Sequence, residues 1–104
     1  MNQYGMNAGE WADFERLVIR PLKDSGFKVW IFGSRARGSN VKFSDVDVLV
    51  QPETAASALY GKTTLNDIRE KAEESRFPYR LDIVLVSDLA ESYRDGVLNE
   101  RVEL

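Results

Sequence analysis

Apolar residues first recur at helical spacing from about Glu10, where Trp11, Phe14, Leu17, Val18 and Leu22 fall on one stripe. This predicts an amphipathic helix closed by Ser25-Gly26. Pro21 lies inside the stripe and predicts a kink or a break, because proline lacks an amide donor and crowds the preceding turn. Residues 1–9 are polar and glycine-containing and read as a loose lead-in. Residues 27–32 are rich in β-branched and aromatic side chains and predict a strand ended by Gly33-Ser34, and residues 44–51 predict a second strand stopped by Pro52. Residues 53–63 read as a loop with some helix. Thr64 and Asp67 suit a capping box for a helix running to about Ser75, with Leu65, Ile68 and Ala72 as its apolar stripe. A third strand is predicted over 79–86, after Pro78. Ser87 is placed to cap a last helix with Leu89, Tyr93, Val97 and Leu98 on one side. No repeat, low-complexity tract or linker divides the chain, so one α+β domain over residues 1–104 is expected.

Composition narrows the chemistry. With 43% apolar residues in 104, the chain can build one core and one site. The net charge of −3 and a pI near 5.0 disfavour general nucleic-acid binding. No cysteine or histidine is present. Thiolate and imidazole chemistry is thereby excluded; proton transfer near neutral pH falls to a carboxylate, Lys, Tyr or metal-bound water, and any metal site must use oxygen ligands, which favours hard cations such as Mg²⁺. No apolar stretch approaches the ~20 residues that span a bilayer, and a cytoplasmic location is expected.

Three features carry candidate chemistry. In Ile31-Phe32-Gly33-Ser34-Arg35-Ala36-Arg37-Gly38, a glycine and a hydroxyl follow a strand directly. Free N–H groups at such a turn can cradle phosphate oxygens, although a plain strand-to-turn glycine gives the same pattern. In Asp45-Val46-Asp47-Val48-Leu49-Val50 the two carboxylates share one strand face while Val46, Val48 and Val50 occupy the other. Either both aspartates face water at an edge, or a cation such as Mg²⁺ neutralises them. Asp82 interrupts the apolar run 81–86 and asks for a partner, which could be Arg80 or a shared site; parity alone does not tell whether it lies on the face of Asp45 and Asp47.

Together, Gly33-Ser34, a ten-residue spacer (35–44), Asp45-x-Asp47 and a later strand with a central aspartate resemble the active-site pattern of the DNA polymerase β-like nucleotidyltransferase superfamily. The wording from Phe32 to Gly38 followed by Ser44-Asp45 is most similar to the minimal nucleotidyltransferases, and the resemblance runs from Trp11 through Val86. It implies a small mixed β-sheet with helices packed on it, and transfer of a nucleoside monophosphate, AMP from ATP, to a hydroxyl. It further implies that Asp45 and Asp47 hold Mg²⁺, that Asp82 completes the metal site or takes the proton of the attacking hydroxyl, and that Gly33 and Ser34 bind the departing phosphates, with Arg35 and Arg37 beside them in a secondary role.

No acceptor-binding domain is expected within these 104 residues. The resemblance therefore implies an all-helical HEPN-type toxin as partner and acceptor, with adenylylation of a toxin tyrosine as the route of neutralisation and this chain as the antitoxin. Trp11, Trp30, Tyr60 and Tyr93 are candidate interface anchors, although most of them read more readily as core. Two alternatives stand beside this reading: a binding module that neutralises its partner by contact, and a nucleotidyltransferase acting on a small molecule or an RNA end.

Overall fold

The computed structural model of the chain describes residues 3–104, the Tyr93 side chain excepted. A four-stranded mixed sheet forms its centre, in the order β3-β2-β1-β4. Strands β1 (Phe27–Phe32) and β2 (Val46–Pro52) run antiparallel, β2 and β3 (Leu81–Leu85) run parallel, and β4 (Val102–Glu103) adds antiparallel to the outer side of β1. The short fourth strand had no sequence signal: two residues are too few for alternation to show.

One sheet face carries the main core. Val29, Ile31, Val46, Val48, Val50 and Ile83 pack there against Phe14, Val18 and Leu22 of the first helical segment and Leu65, Ile68 and Ala72 of α4 (Ala55–Glu74). Burying three valines of β2 contributes on the order of 5 kcal/mol. That gain fixes which way β2 faces and leaves Asp47 on the opposite side. There a smaller cluster of Trp30, Leu49, Leu89 and Val97 lies under α5 (Glu91–Glu100).

The first helical segment comprises α1 (Ala8–Phe14), a π-helical turn (Glu15–Ile19) and α2 (Arg20–Asp24). The break expected at Pro21 takes the form of this π turn, in which the Arg20 amide reaches back to the Glu15 carbonyl. The widened turn makes room for the proline ring without ending the helix.

Three expectations are corrected. Residues 3–7 are not a loose lead-in: Gln3 and Met6 close a tight turn through paired backbone hydrogen bonds of 2.9 and 2.8 Å, and Met6 is fully buried. Helix α4 starts at Thr54, where Thr54 and Ser57 form the capping box, rather than at Thr64 and Asp67. Gly61 sits inside that helix because the helix passes close over the Phe27 ring, where an added Cβ would lie 3.4 Å from Cζ. Ser87 is not a helix cap either; Val86–Asp88 form a short 3₁₀ turn and α5 begins after Ala90 without a side-chain cap. Among the described residues no helix is long and apolar enough to cross a membrane.

Candidate active site

β1 runs straight into α3 (Gly33–Arg37), and the junction requires glycine: Gly33 has φ +78°, and a Cβ there would collide with Asp47 Oδ2 and approach Asp47 Cγ to 3.1 Å. The Gly33 turn therefore lies directly against the β2 carboxylate. Gly38, with φ +75°, closes α3 as a left-handed C-cap, and Ser39 N donates to Ser34 O at 2.9 Å.

The question that strand parity left open is answered by register. Phe32 pairs with Asp47, and Asp47 pairs with Asp82 in the parallel ladder, so both aspartates project from the same face. Asp45 precedes β2 by one residue. None of the three carboxylates takes part in an ion pair among the described residues, Arg80 included. Burial first, then the charges of Asp82 and Asp45, push Asp47 from the usual 3.8 up to about 6, against the opposing pull of Arg37 and Arg35.

Among the described residues no three carboxylates are closed into a ready-made metal cage. Mg²⁺ does not require one, since it commonly takes one or two carboxylates and completes its octahedron with phosphate oxygens and water. An Asp47 carboxylate with a raised pKa, half-buried beside two more carboxylates, fits a cation of that kind. A cavity of about 760 Å³ lies elsewhere, at the far end of β2 and β3, lined by Gln51, Ser57, Lys62, Leu85 and Arg94. No candidate carboxylate lines it.

The two arginines separate. Arg37 is half exposed, and its Nη1 donates to Glu100 at 3.1 and 3.0 Å. Arg35 is only 2% exposed: Nε and Nη2 donate to the Ser44 carbonyl at 3.0 and 2.7 Å, Nη1 donates to the Tyr4 carbonyl at 2.8 Å, and the guanidinium lies 4.1 Å from the Tyr79 ring centroid. Arg35 is thus turned into the fold, with two of its nitrogens on the Ser44 carbonyl that leads into Asp45 and a third on the Tyr4 carbonyl. Tyr79 is held in turn by Glu10 at 3.0 Å, and Glu10 caps α1 with Asn7.

Glu100 was missed by sequence reasoning. It ends α5, and Oε1 accepts from the Gly33 amide at 3.3 Å as well as from Arg37. An acidic residue at a helix C-terminus opposes the helix dipole, and that is the signal that could have marked it. Of the aromatic candidates, Trp30 is buried and Trp11 is packed between Tyr4 and Phe14, whereas Tyr60 is exposed; the Tyr93 side chain lies outside the described residues.

A strand, a glycine turn and two in-register aspartates on a mixed sheet are the arrangement of a nucleotidyltransferase. The family model for the nucleotidyltransferase domain matches residues 16–104, and the chain belongs to that family. The Haemophilus influenzae protein named probable protein adenylyltransferase MntA is 30% identical over 69 residues, which cover 66% of this chain and 57% of that protein. The chain thus spans little more than half the length of this curated relative. A solved structure assigned as a minimal nucleotidyltransferase superposes with a TM-score of 0.69 at 29% identity, covering 95% of this chain and 97% of that one. A toxin–antitoxin crystal structure with AMP-PNP shares the fold, with a TM-score of 0.62 at 17% identity over 86% of this chain and 70% of that one.

Proposed function

We propose that this chain transfers AMP from ATP to a hydroxyl of a partner protein, with a tyrosine of a helical HEPN-type toxin as acceptor, and so acts as an antitoxin. The observation that carries the catalytic part is the in-register pair Asp47 and Asp82 at the Gly33 turn, with Asp47 raised to about 6. Such crowding is costly for the fold alone and becomes useful when a cation and a polyphosphate share the site. The names of the Haemophilus relative and of the toxin–antitoxin structure support the protein acceptor.

In this reading Asp45 and Asp47 would hold Mg²⁺, with Asp82 at the edge of the same site. The Mg²⁺ ion would offset the negative charge of the phosphates and polarise the phosphorus under attack. The Gly33 amide, Ser34 and Arg37 hold the β- and γ-phosphates. The acceptor oxygen forms a bond to the α-phosphorus as the bond to the bridging oxygen breaks; pyrophosphate leaves, and the hydroxyl proton passes to the exposed Asp82 carboxylate. Arg35 positions Asp45 from behind through Ser44.

The test is incubation with α-labelled ATP and Mg²⁺, with and without a purified HEPN-type protein encoded beside the gene. Label is expected on a tyrosine of that partner. Asp47→Ala should abolish labelling and leave the complex intact on a sizing column. Neutralisation by the variant equal to that by the wild type would show that contact alone suffices, and label on RNA or a small molecule without the partner would keep the chemistry and overturn the acceptor.

A further inference from the structure

We propose that Glu100 is a resident anion that occupies the phosphate seat at the Gly33 turn and must be displaced when a polyphosphate binds. The proposal rests on the nucleotide reading above and adds a competitor to it. The Glu100 carboxylate takes the Gly33 N–H at 3.3 Å and both of its oxygens take Arg37 Nη1, at 3.1 and 3.0 Å. An oxygen anion held by a backbone amide and a guanidinium is chemically what a phosphate oxygen presents to the same donors. The seat is not filled locally: Phe32, the residue before α3, contributes no side-chain hydrogen bond, and the anion arrives from 67 residues away in sequence.

Three unfavourable factors act on Glu100 where it stands. It sits at the carboxyl end of α5, where the helix dipole repels a negative charge. Its side chain is three-quarters covered, with 25% exposed. The Gly33 turn it contacts also lies against the Asp47 carboxylate. Among the described residues, the Gly33 amide and Arg37 are the groups that hydrogen-bond the Glu100 carboxylate against these factors. A polyphosphate carries more charge and more oxygens than one carboxylate, so it wins the seat, and the Glu100 side chain turns outward. Glu100 therefore sets the affinity threshold for nucleotide.

A plain cap would behave oppositely, because deleting a cap weakens the turn and any ligand that uses it. Calorimetric titration of wild type, Glu100→Gln and Glu100→Ala with Mg²⁺-tripolyphosphate separates the two. Both variants should bind about 10-fold more tightly than wild type, which corresponds to one charged contact no longer being displaced. Equal or weaker binding by correctly folded variants, or no binding by any of the three proteins, overturns the proposal.

Should the variants fail to fold, the wild type still decides. In protein with ¹³C-labelled glutamate carboxylates, the Glu100 resonance, assigned through its connectivity to the Glu100 backbone, should move on addition of tripolyphosphate and stay still with sodium chloride at equal ionic strength. No movement overturns the proposal. Tighter tripolyphosphate binding without AMP transfer would leave the displacement standing and remove the proposed function; AMP transfer with unchanged affinity in Glu100→Gln would do the reverse.

Discussion

Asp47 of β2 pairs in parallel register with Asp82 of β3, so two carboxylates stand side by side on one sheet face with no cationic side chain in ion-pair contact with either among the described residues. The cost falls on Asp47, which burial and the neighbouring charges raise to about 6 from 3.8. Between these two values the folded chain keeps a proton that the unfolded chain has released. The stability contributed by this group is therefore full below pH 3.8 and lost as the pH rises through about 6. Asp47→Asn keeps the shape and removes the charge. In chelator at pH 7.5 its melting temperature should exceed that of wild type by about 5 °C, the effect of roughly 1 kcal/mol in a domain of this size after solvent screening of a half-buried group. At pH 4 the two proteins should melt nearly together. A lower melting temperature for the variant at pH 7.5 would show that the carboxylate is stabilising as it stands.

A cation reverses this sign. Mg²⁺ or Mn²⁺ with ATP should raise the wild-type melting temperature above its value in chelator, whereas Asp45→Asn/Asp47→Asn should show no response. Because Asp47 must ionise before it can bind a metal, the Mg²⁺ response should weaken as the pH falls through about 6. Isothermal titration at pH 6 in buffers of different ionisation enthalpy should register proton release on binding. An equal thermal response in the double variant would remove these residues from the metal site.

What the sequence showed and what it hid divide along physical lines. The alternation of Val46, Asp47 and Val48 was legible because a strand has period two and three valines outweigh one half-buried carboxylate, whereas the strand begins at Val46 and leaves Asp45 just ahead of it. The face of Asp82 was not, because parity within β3 says nothing about its register with β2; only the pairing of Asp47 with Asp82 supplies that. The early start of α4 was hidden by Gly61, which reads as a breaker until Phe27 is found beneath it. The burial of Arg35 was not legible because charged residues are seldom buried and its partners, the Ser44 and Tyr4 carbonyls, lie 9 and 31 residues away in sequence.

Gly33 carries two requirements at one position, a positive φ and open space facing Asp47. Gly33→Ala forces a methyl group into the Asp47 carboxylate in a backbone conformation that alanine adopts reluctantly. A destabilisation of about 1–2 kcal/mol is expected from the backbone conformation, together with loss of the ATP-dependent rise in melting temperature. Gly38→Ala is the control. It shares the positive φ and has nothing within 4 Å of its added Cβ, so it should show a similar stability loss but retain the nucleotide response. Equal loss of response in both would attribute the effect to strain rather than to contact with Asp47.

Arg35 tests whether the loop before Asp45 is held in place from the interior. Two of its nitrogens grip the Ser44 carbonyl and a third grips Tyr4, while its flat face rests on Tyr79. Lysine keeps the charge but lacks the planar fork, so it cannot serve both carbonyls and stack on the ring at once. Arg35→Ala leaves these part-buried carbonyls unpaired and empties the buried space of the side chain, and should cost about 3 kcal/mol by urea denaturation. Arg35→Lys should recover part of that stability. It should not restore Mg²⁺-dependent ATP binding, because Ser44 immediately precedes Asp45 and a slack carbonyl there lets the carboxylate drift. An Arg35→Lys protein that binds Mg²⁺ and ATP as wild type does, despite a lowered melting temperature, would show that Arg35 stabilises the fold without positioning Asp45.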